Sequence, residues 1–131
     1  MADHEPLDPN LNRIGRLIYD AAFEVHRLLG PGLLESTYKA CLAAELATRG
    51  LSVRFEVPVP VIYKGVHLET GYRIDMLVDE LVIIEAKAVD AVHPVHESQL
   101  LTYIKLSNRR LGYLINFNVP LMKDGIRRYV V

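Results

Sequence analysis

The 131 residues include a single cysteine, Cys41. An intramolecular disulfide is therefore excluded, and the position of Cys41 in an apolar-periodic stretch points to a buried thiol in a reducing, cytoplasmic compartment. Long hydrophobic runs are missing too. The longest strongly aliphatic stretch is Leu81-Val82-Ile83-Ile84, far short of the ~20 residues that span a bilayer, and the acidic opening Met-Ala-Asp-His-Glu-Pro has no apolar segment behind it. Neither a secretion signal nor a membrane partner is expected. Charge of one sign is also lacking: Lys and Arg number 15 and Asp and Glu 16, a net of −1, so overall charge does not demand a polyanionic partner. No repeat or low-complexity segment occurs. With one cysteine, His93 and His96 around Pro94 make no zinc pattern.

What is present is a foldable apolar complement. Half of the residues are hydrophobic and 24% charged, enough to build one core and too short a chain for two. The average charge hides an asymmetry: residues 101–131 carry six cations against Asp124 alone, a net of +5, and the first hundred residues carry −6.

Residues 1–9, with two prolines and no periodicity, read as a tail, and 10–131 as a single domain. Leu11, Ile14, Leu17, Ile18, Ala21, Ala22, Val25, Leu28 and Leu29 recur at steps of three and four. This predicts a helix over 10–29, N-capped by Asn10 and broken by Gly30-Pro31-Gly32. A second helix is expected over 33–49, with Leu34, Tyr38, Cys41, Leu42 and Leu46 on one side and Gly50 as its stop. The period then becomes two. Residues 53–63 read as a strand or strand pair, with Pro58 and Pro60 marking an edge or a bend. Gly65 and Gly71 bracket a short connection, followed by strands at 72–78 and 81–87. The second of these is apolar on both faces and belongs in the middle of a sheet. A helix at 94–108 and strands at 111–117 and 126–131 complete the order α-α-β-β-β-β-α-β-β. The fold class is α/β (α+β), a mixed central sheet flanked by helices.

One feature of the sheet centre is not explained by apolar burial. The run 81–84 leads directly into Glu85-Ala86-Lys87, so a carboxylate and an amine project from the same face of a central strand. Charges in such a place need partners, and one such partner is a metal ion. Asp75 lies in the preceding strand and faces Glu85 only if paired indices sum to 160. That sum requires an odd loop such as Asp79-Glu80-Leu81, or a bulge; a two-residue Asp79-Glu80 turn would send Asp75 to the other face. If the register holds, Asp75, Glu85 and the exposed carbonyl of Ala86 make a hard oxygen site for Mg²⁺ or Mn²⁺. Lys87 beside it would orient a water or stabilise negative charge.

Asp75 followed by Glu85-Ala86-Lys87 resembles the D…ExK core of the PD-(D/E)xK nuclease superfamily. Gly32-Leu33-Leu34-Glu35-Ser36-Thr37-Tyr38 is similar to the eponymous motif of the bacterial GxxExxY proteins, a small branch of that superfamily. Tyr72-Arg73-Ile74-Asp75 and Gln99-Leu100-Leu101-Thr102-Tyr103 fall where that branch has its later motifs, and Ile74 stands where proline is the superfamily's signature residue. The resemblance, from about residue 11 to the C-terminus, implies a restriction-endonuclease-like core and a Mg²⁺-dependent nuclease. It makes Asp75 and Glu85 the metal ligands and Lys87 the catalytic lysine. Glu35 becomes the helical acid near the metal, and Gln99 and Tyr103 a QxxxY element beside the site.

Each residue also has a plainer role open to it. Glu35 in a first helical turn suits the helix dipole, and Tyr38 is either a hydrogen-bonding group in the site or packing. Gln99 and Tyr103, four apart, also fit a solvated helix face, and Arg109, Arg110, Arg127 and Arg128 are phosphate contacts or solubilising charges. The rival to a nuclease is a non-catalytic module of the same fold that binds nucleic acid or a protein partner. A homodimer that completes the site is a further alternative.

Overall fold

The computed structural model describes residues 5–131. The tail expected at 1–9 therefore lies partly outside the described residues; of its remainder, Glu5–Asp8 has no regular structure, and Leu7 packs against the core. The first helix, α1, runs Pro9–Leu29, one residue earlier than predicted. Its cap is Asp8 and not Asn10: the Asp8 carboxylate accepts the Asn10 amide at 2.7 Å, and Pro9 takes the first turn, where a missing N–H costs nothing. Helix α2 spans Glu35–Thr48. Leu34, expected on its apolar face, is instead its exposed N-terminal flank, and Cys41 is half-buried.

Seven strands follow the pattern change after Gly50, one more than predicted. They are β1 (Val53–Pro58), β2 (Val61–Tyr63), β3 (Val66–Leu68), β4 (Arg73–Val78), β5 (Val82–Lys87), β6 (Leu111–Asn116) and β7 (Ile126–Val130), with helix α3 (Pro94–Leu106) between β5 and β6. The additional strand is β3, in the stretch that reads as a connection. It pairs with β2 in a separate hairpin around Lys64 and Gly65, both at positive φ.

The main sheet has the order β1-β4-β5-β6-β7, with β5 in its centre. All neighbours are antiparallel except β5 and β6, which run parallel because α3 crosses between them. Helices α1 and α2 cover one face, where Ile14, Ile18, Leu42 and Leu46 meet Met76, Val82, Ile84 and Ile115. Helix α3 covers the other, where Leu100 and Ile104 meet Leu77, Ile83 and Leu114. Strand β5 thus buries Val82, Ile84 and Ala86 on one side and Ile83 on the other, as its unbroken aliphatic run implies. Gly112 lets α3 approach, since a Cβ there would lie 2.7 Å from Ile104 Cδ1.

The alternation fails at one place. Ile74 and Met76 are two residues apart yet lie in opposite cores; on the neighbouring edge strand, Val53 and Val57 show the same switch. Between them sit Asp75 and Glu56, the latter at φ 53, and the regular ladder omits both. A local irregularity of this kind turns a strand's faces over and re-aims the side chain at that point.

Candidate active site

The sequence leaves the register of β4 on β5 open. Met76 pairs with Ile84, Leu77 with Ile83 and Val78 with Val82, so paired indices sum to 160. The connection is the odd loop Asp79-Glu80-Leu81, with Asp79 and Glu80 at φ 49 and 61 and the Leu81 amide donating to the Val78 carbonyl at 2.9 Å. Strand β5 accordingly starts at Val82 and not at Leu81. The regular pairing of the two strands stops at Met76, and one step beyond it the Asp75 side chain takes over: its Oδ2 accepts the Ala86 amide at 2.9 Å. Ala86 itself is fully buried, so the carbonyl expected to be exposed is covered.

Both carboxylates are nearly inaccessible, Asp75 being 8% and Glu85 6% exposed. Burial, and next to it the negative charge of Asp75, push the Glu85 carboxyl up to about 7, against the opposing pull of Lys87. The negative charge of Asp75 thus disfavours a second one on Glu85.

The residue that meets this charge lies outside the predicted set. Lys39, on α2, donates from Nζ to Asp75 Oδ1 at 2.5 Å and lies 3.9 Å from Glu35 Oε2 and 3.8 Å from Glu56 Oε1. Its burial opposes the ammonium charge, but the hydrogen bond and charge of Asp75, joined by Glu35 and Glu56, prevail and hold its pKa above the ordinary lysine value. The only sequence signal for it is the four-residue spacing from Glu35. The contact to Asp75 spans 36 residues and is set by how α2 lies on the sheet.

Glu85 and Lys87 share the α3 face of β5. Tyr103, buried on α3, has its pKa raised first by burial and then by the charges of Glu85 and Tyr72, while the Gln99 side chain works the other way. Gln99, Tyr103, Tyr72 and Val95 line a shallow cavity of about 230 Å³, with the Tyr72 and Tyr103 rings 5.9 Å apart. His96, at the start of α3, has its pKa lowered by burial and by the positive charges of Lys87 and His93, and Glu35 opposes the shift. Its Nδ1 is buried without a partner. The N-terminal turns of α2 and α3 therefore bring Glu35, Lys39, His96 and Gln99 around the ends of β4 and β5.

Three expected substrate contacts lie elsewhere. Tyr38 is fully buried and stacks on Phe117 at 4.7 Å; its hydroxyl donates to the Gly30 carbonyl at 2.5 Å and accepts the Leu33 amide at 3.1 Å. It fastens the loop entering α2. Arg109 and Arg110 precede β6, whose first residue pairs with Val82, at the opposite end of β5 from Lys87. That separation is about 16 Å at the rise of a strand. Arg109 Nε donates to the Glu80 carbonyl, and Arg110 holds the Val131, Glu5 and Pro6 carbonyls. Arg127 pairs with Glu97, and Arg128 donates to Asn12 at 3.2 Å.

Two buried acids supply hard oxygen donors for a divalent ion. Among the described residues no group of three His, Cys, Asp or Glu side chains converges on a point where an ion could be held. Carboxylate oxygens are the kind of donor that hard divalent ions take.

A mixed five-stranded sheet between helices, with an Asp and an E-x-K pair meeting at its central strands, defines a restriction-endonuclease-like domain. A family model described as the PD-(D/E)XK nuclease superfamily matches residues 12–129, and the chain belongs to that superfamily. Searches of curated proteins and of solved structures gave no match. Among the described residues no helix is long and apolar enough to cross a membrane.

Proposed function

We propose that the protein is a cytoplasmic, Mg²⁺- or Mn²⁺-dependent phosphodiesterase acting on DNA or another nucleic acid, of the GxxExxY branch. The observation that supports this reading is the β4–β5 ladder with indices summing to 160, continued by the Asp75 carboxylate accepting the Ala86 amide between Glu85 and Lys87. Asp75 and Glu85 would hold the ion, whose chemistry is to polarise a phosphoryl oxygen and to lower the pKa of a bound water. Lys87 is the residue to orient the attacking water and to stabilise charge developing on the phosphate. Glu35 completes the acidic wall. Gln99, one helical turn before Tyr103, is suited to a polar contact with Lys87 or the phosphate, and the Tyr72 and Tyr103 rings offer apolar area to a base or sugar.

The experiment is cleavage of end-labelled single- and double-stranded DNA and RNA with Mg²⁺ or Mn²⁺, wild type beside Lys87→Ala. Metal-dependent cleavage that disappears in the variant supports the reading. Undiminished turnover in the variant removes Lys87 from the mechanism.

One observation favours the rival, a non-catalytic binding module. Both oxygens of Asp75 are already engaged, by Lys39 and by the Ala86 amide. A salt titration of binding separates its two forms, because phosphate-driven binding weakens steeply with salt and apolar protein contact does not.

A further inference from the structure

Lys39 stands where the proposed chemistry needs a divalent ion. Its ammonium is 2.5 Å from Asp75 Oδ1, and the other oxygen of that carboxylate is tied to the main chain through Ala86. A divalent ion ligated by Asp75 would sit about 2.1 Å from an oxygen, and beside an ammonium on the same carboxylate the two cations would repel at short range. Of the two groups on Asp75, the Ala86 amide belongs to the central strand and stays in place. Lys39 is on a flexible four-carbon stem. It also has somewhere to go: Glu35 and Glu56, 3.9 and 3.8 Å away, have side chains 42% and 62% exposed and can keep the ammonium on the surface.

We propose that Lys39 is a tethered counter-cation: it neutralises the Asp75 side of the carboxylate pair in the metal-free protein, and the divalent ion replaces it on binding. The exchange is an ion-for-ion substitution with no bond made or broken. It rests on the metal-site reading above and deepens it, since it assigns the cost of opening the site to one side chain outside the D…ExK pattern. Lys39 thus acts through Asp75, as a positioning residue. It neutralises Asp75 before the ion arrives, and it weakens the apparent affinity of the site for metal.

The test is calorimetric titration of Mn²⁺ into the full chain, comparing wild type with Lys39→Gln and Lys39→Met, with thermal unfolding followed by circular dichroism in EDTA and in Mn²⁺. Both variants should bind Mn²⁺ at least tenfold more tightly than wild type. They should also melt lower than wild type in EDTA and gain more from Mn²⁺. A variant unfolded in EDTA that regains the native spectrum on adding Mn²⁺ supports the exchange equally, as does binding by the variants when wild type binds none. Equal or weaker binding by the variants overturns the exchange while leaving the metal site standing. A variant that stays unfolded in Mn²⁺ also overturns it, because the ion then does not replace the ammonium. Absence of binding in all three proteins overturns both the exchange and the metal site.

Discussion

The two ends of strand β5 carry the same kinds of charge and put them to opposite uses. At the end where the strand begins, the exposed Glu80 side chain meets Arg54, and the half-buried Arg109 donates to the Glu80 carbonyl. Arg54 donates from Nε and Nη2 to the two oxygens of Glu80 at 2.7 and 2.6 Å, and Asp79 accepts from the Ser52 amide at 2.8 Å. Here each acid has its partner and water screens the rest. Where the strand finishes, Asp75 and Glu85 are buried together; Lys39 bonds the first, and the charges of Lys87 and Lys39 only partly offset the burial of the second. Composition does not separate the two ends. Burial does, because it removes the solvent that makes an unpaired acid harmless. The exposed end is a turn fastening, and the buried end holds charge that another cation can relieve.

The largest expected effect at the buried end is on chemistry. Lys87→Ala should lower metal-dependent cleavage by about 10²–10³-fold, the loss typical when one group that stabilises developing charge is removed, with the circular dichroism spectrum unchanged. Cleavage within a factor of two of wild type would reduce this end to an ion cluster like the other.

Stability should respond to Glu85 in a defined pH window. Its folded-state pKa, about 7, lies above the ordinary 4.5. Between these values the folded protein holds a proton that the unfolded chain has lost, so stability falls as pH rises through the window, and the penalty is complete above pH 7. Without metal, Glu85→Gln should therefore stabilise the protein by about 3 kcal/mol at pH 8, and the gain should vanish as pH falls toward 4.5. Urea unfolding at both pH values checks this, and a gain independent of pH would contradict it.

Tyr38→Phe sharpens the boundary of the site. Removing the hydroxyl that ties Gly30 to Leu33 should cost about 1–3 kcal/mol, read as a lower thermal midpoint, with cleavage per folded molecule unchanged. A selective rise in KM would return Tyr38 to the substrate. The smallest effect belongs to the exposed end: Arg54→Ala, at a pair open to solvent on both sides, should leave the thermal midpoint nearly where it was. A large drop there would mean that burial does not distinguish the two ends.

The parts legible in the sequence are those that short-range pattern controls. The central place of β5 follows from four consecutive aliphatic residues. The register of β4 on β5 follows from the parity of the loop at 79–81, once that loop has three residues, whereas the aim of Asp75 depends on the irregularity beside Glu56. Two departures from the predicted elements also have short-range causes: Asp8-Pro9 starts α1 ahead of Asn10, and Lys64-Gly65 turns a hairpin inside the expected connection. Lys39, Arg109 and Arg110 are a different case. Their partners lie far along the chain, from 29 residues away for Arg109 and Glu80 to 105 for Arg110 and Glu5, and depend on how helices and termini dock on the sheet. Tyr38 is ambiguous in the sequence for a related reason. An aromatic residue one turn after Glu35 faces either the site or the core, and only the stacking on Phe117 decides.

The central claim is that Asp75 and Glu85 together hold a divalent ion. Its most direct test is titration of Mn²⁺ into the wild-type protein beside Asp75→Ala and Glu85→Ala. Saturable binding by wild type, lost in both variants while each keeps its native fold, is the predicted result. Binding that survives either substitution unchanged, or no binding by the folded protein even with Lys39 replaced, would contradict it.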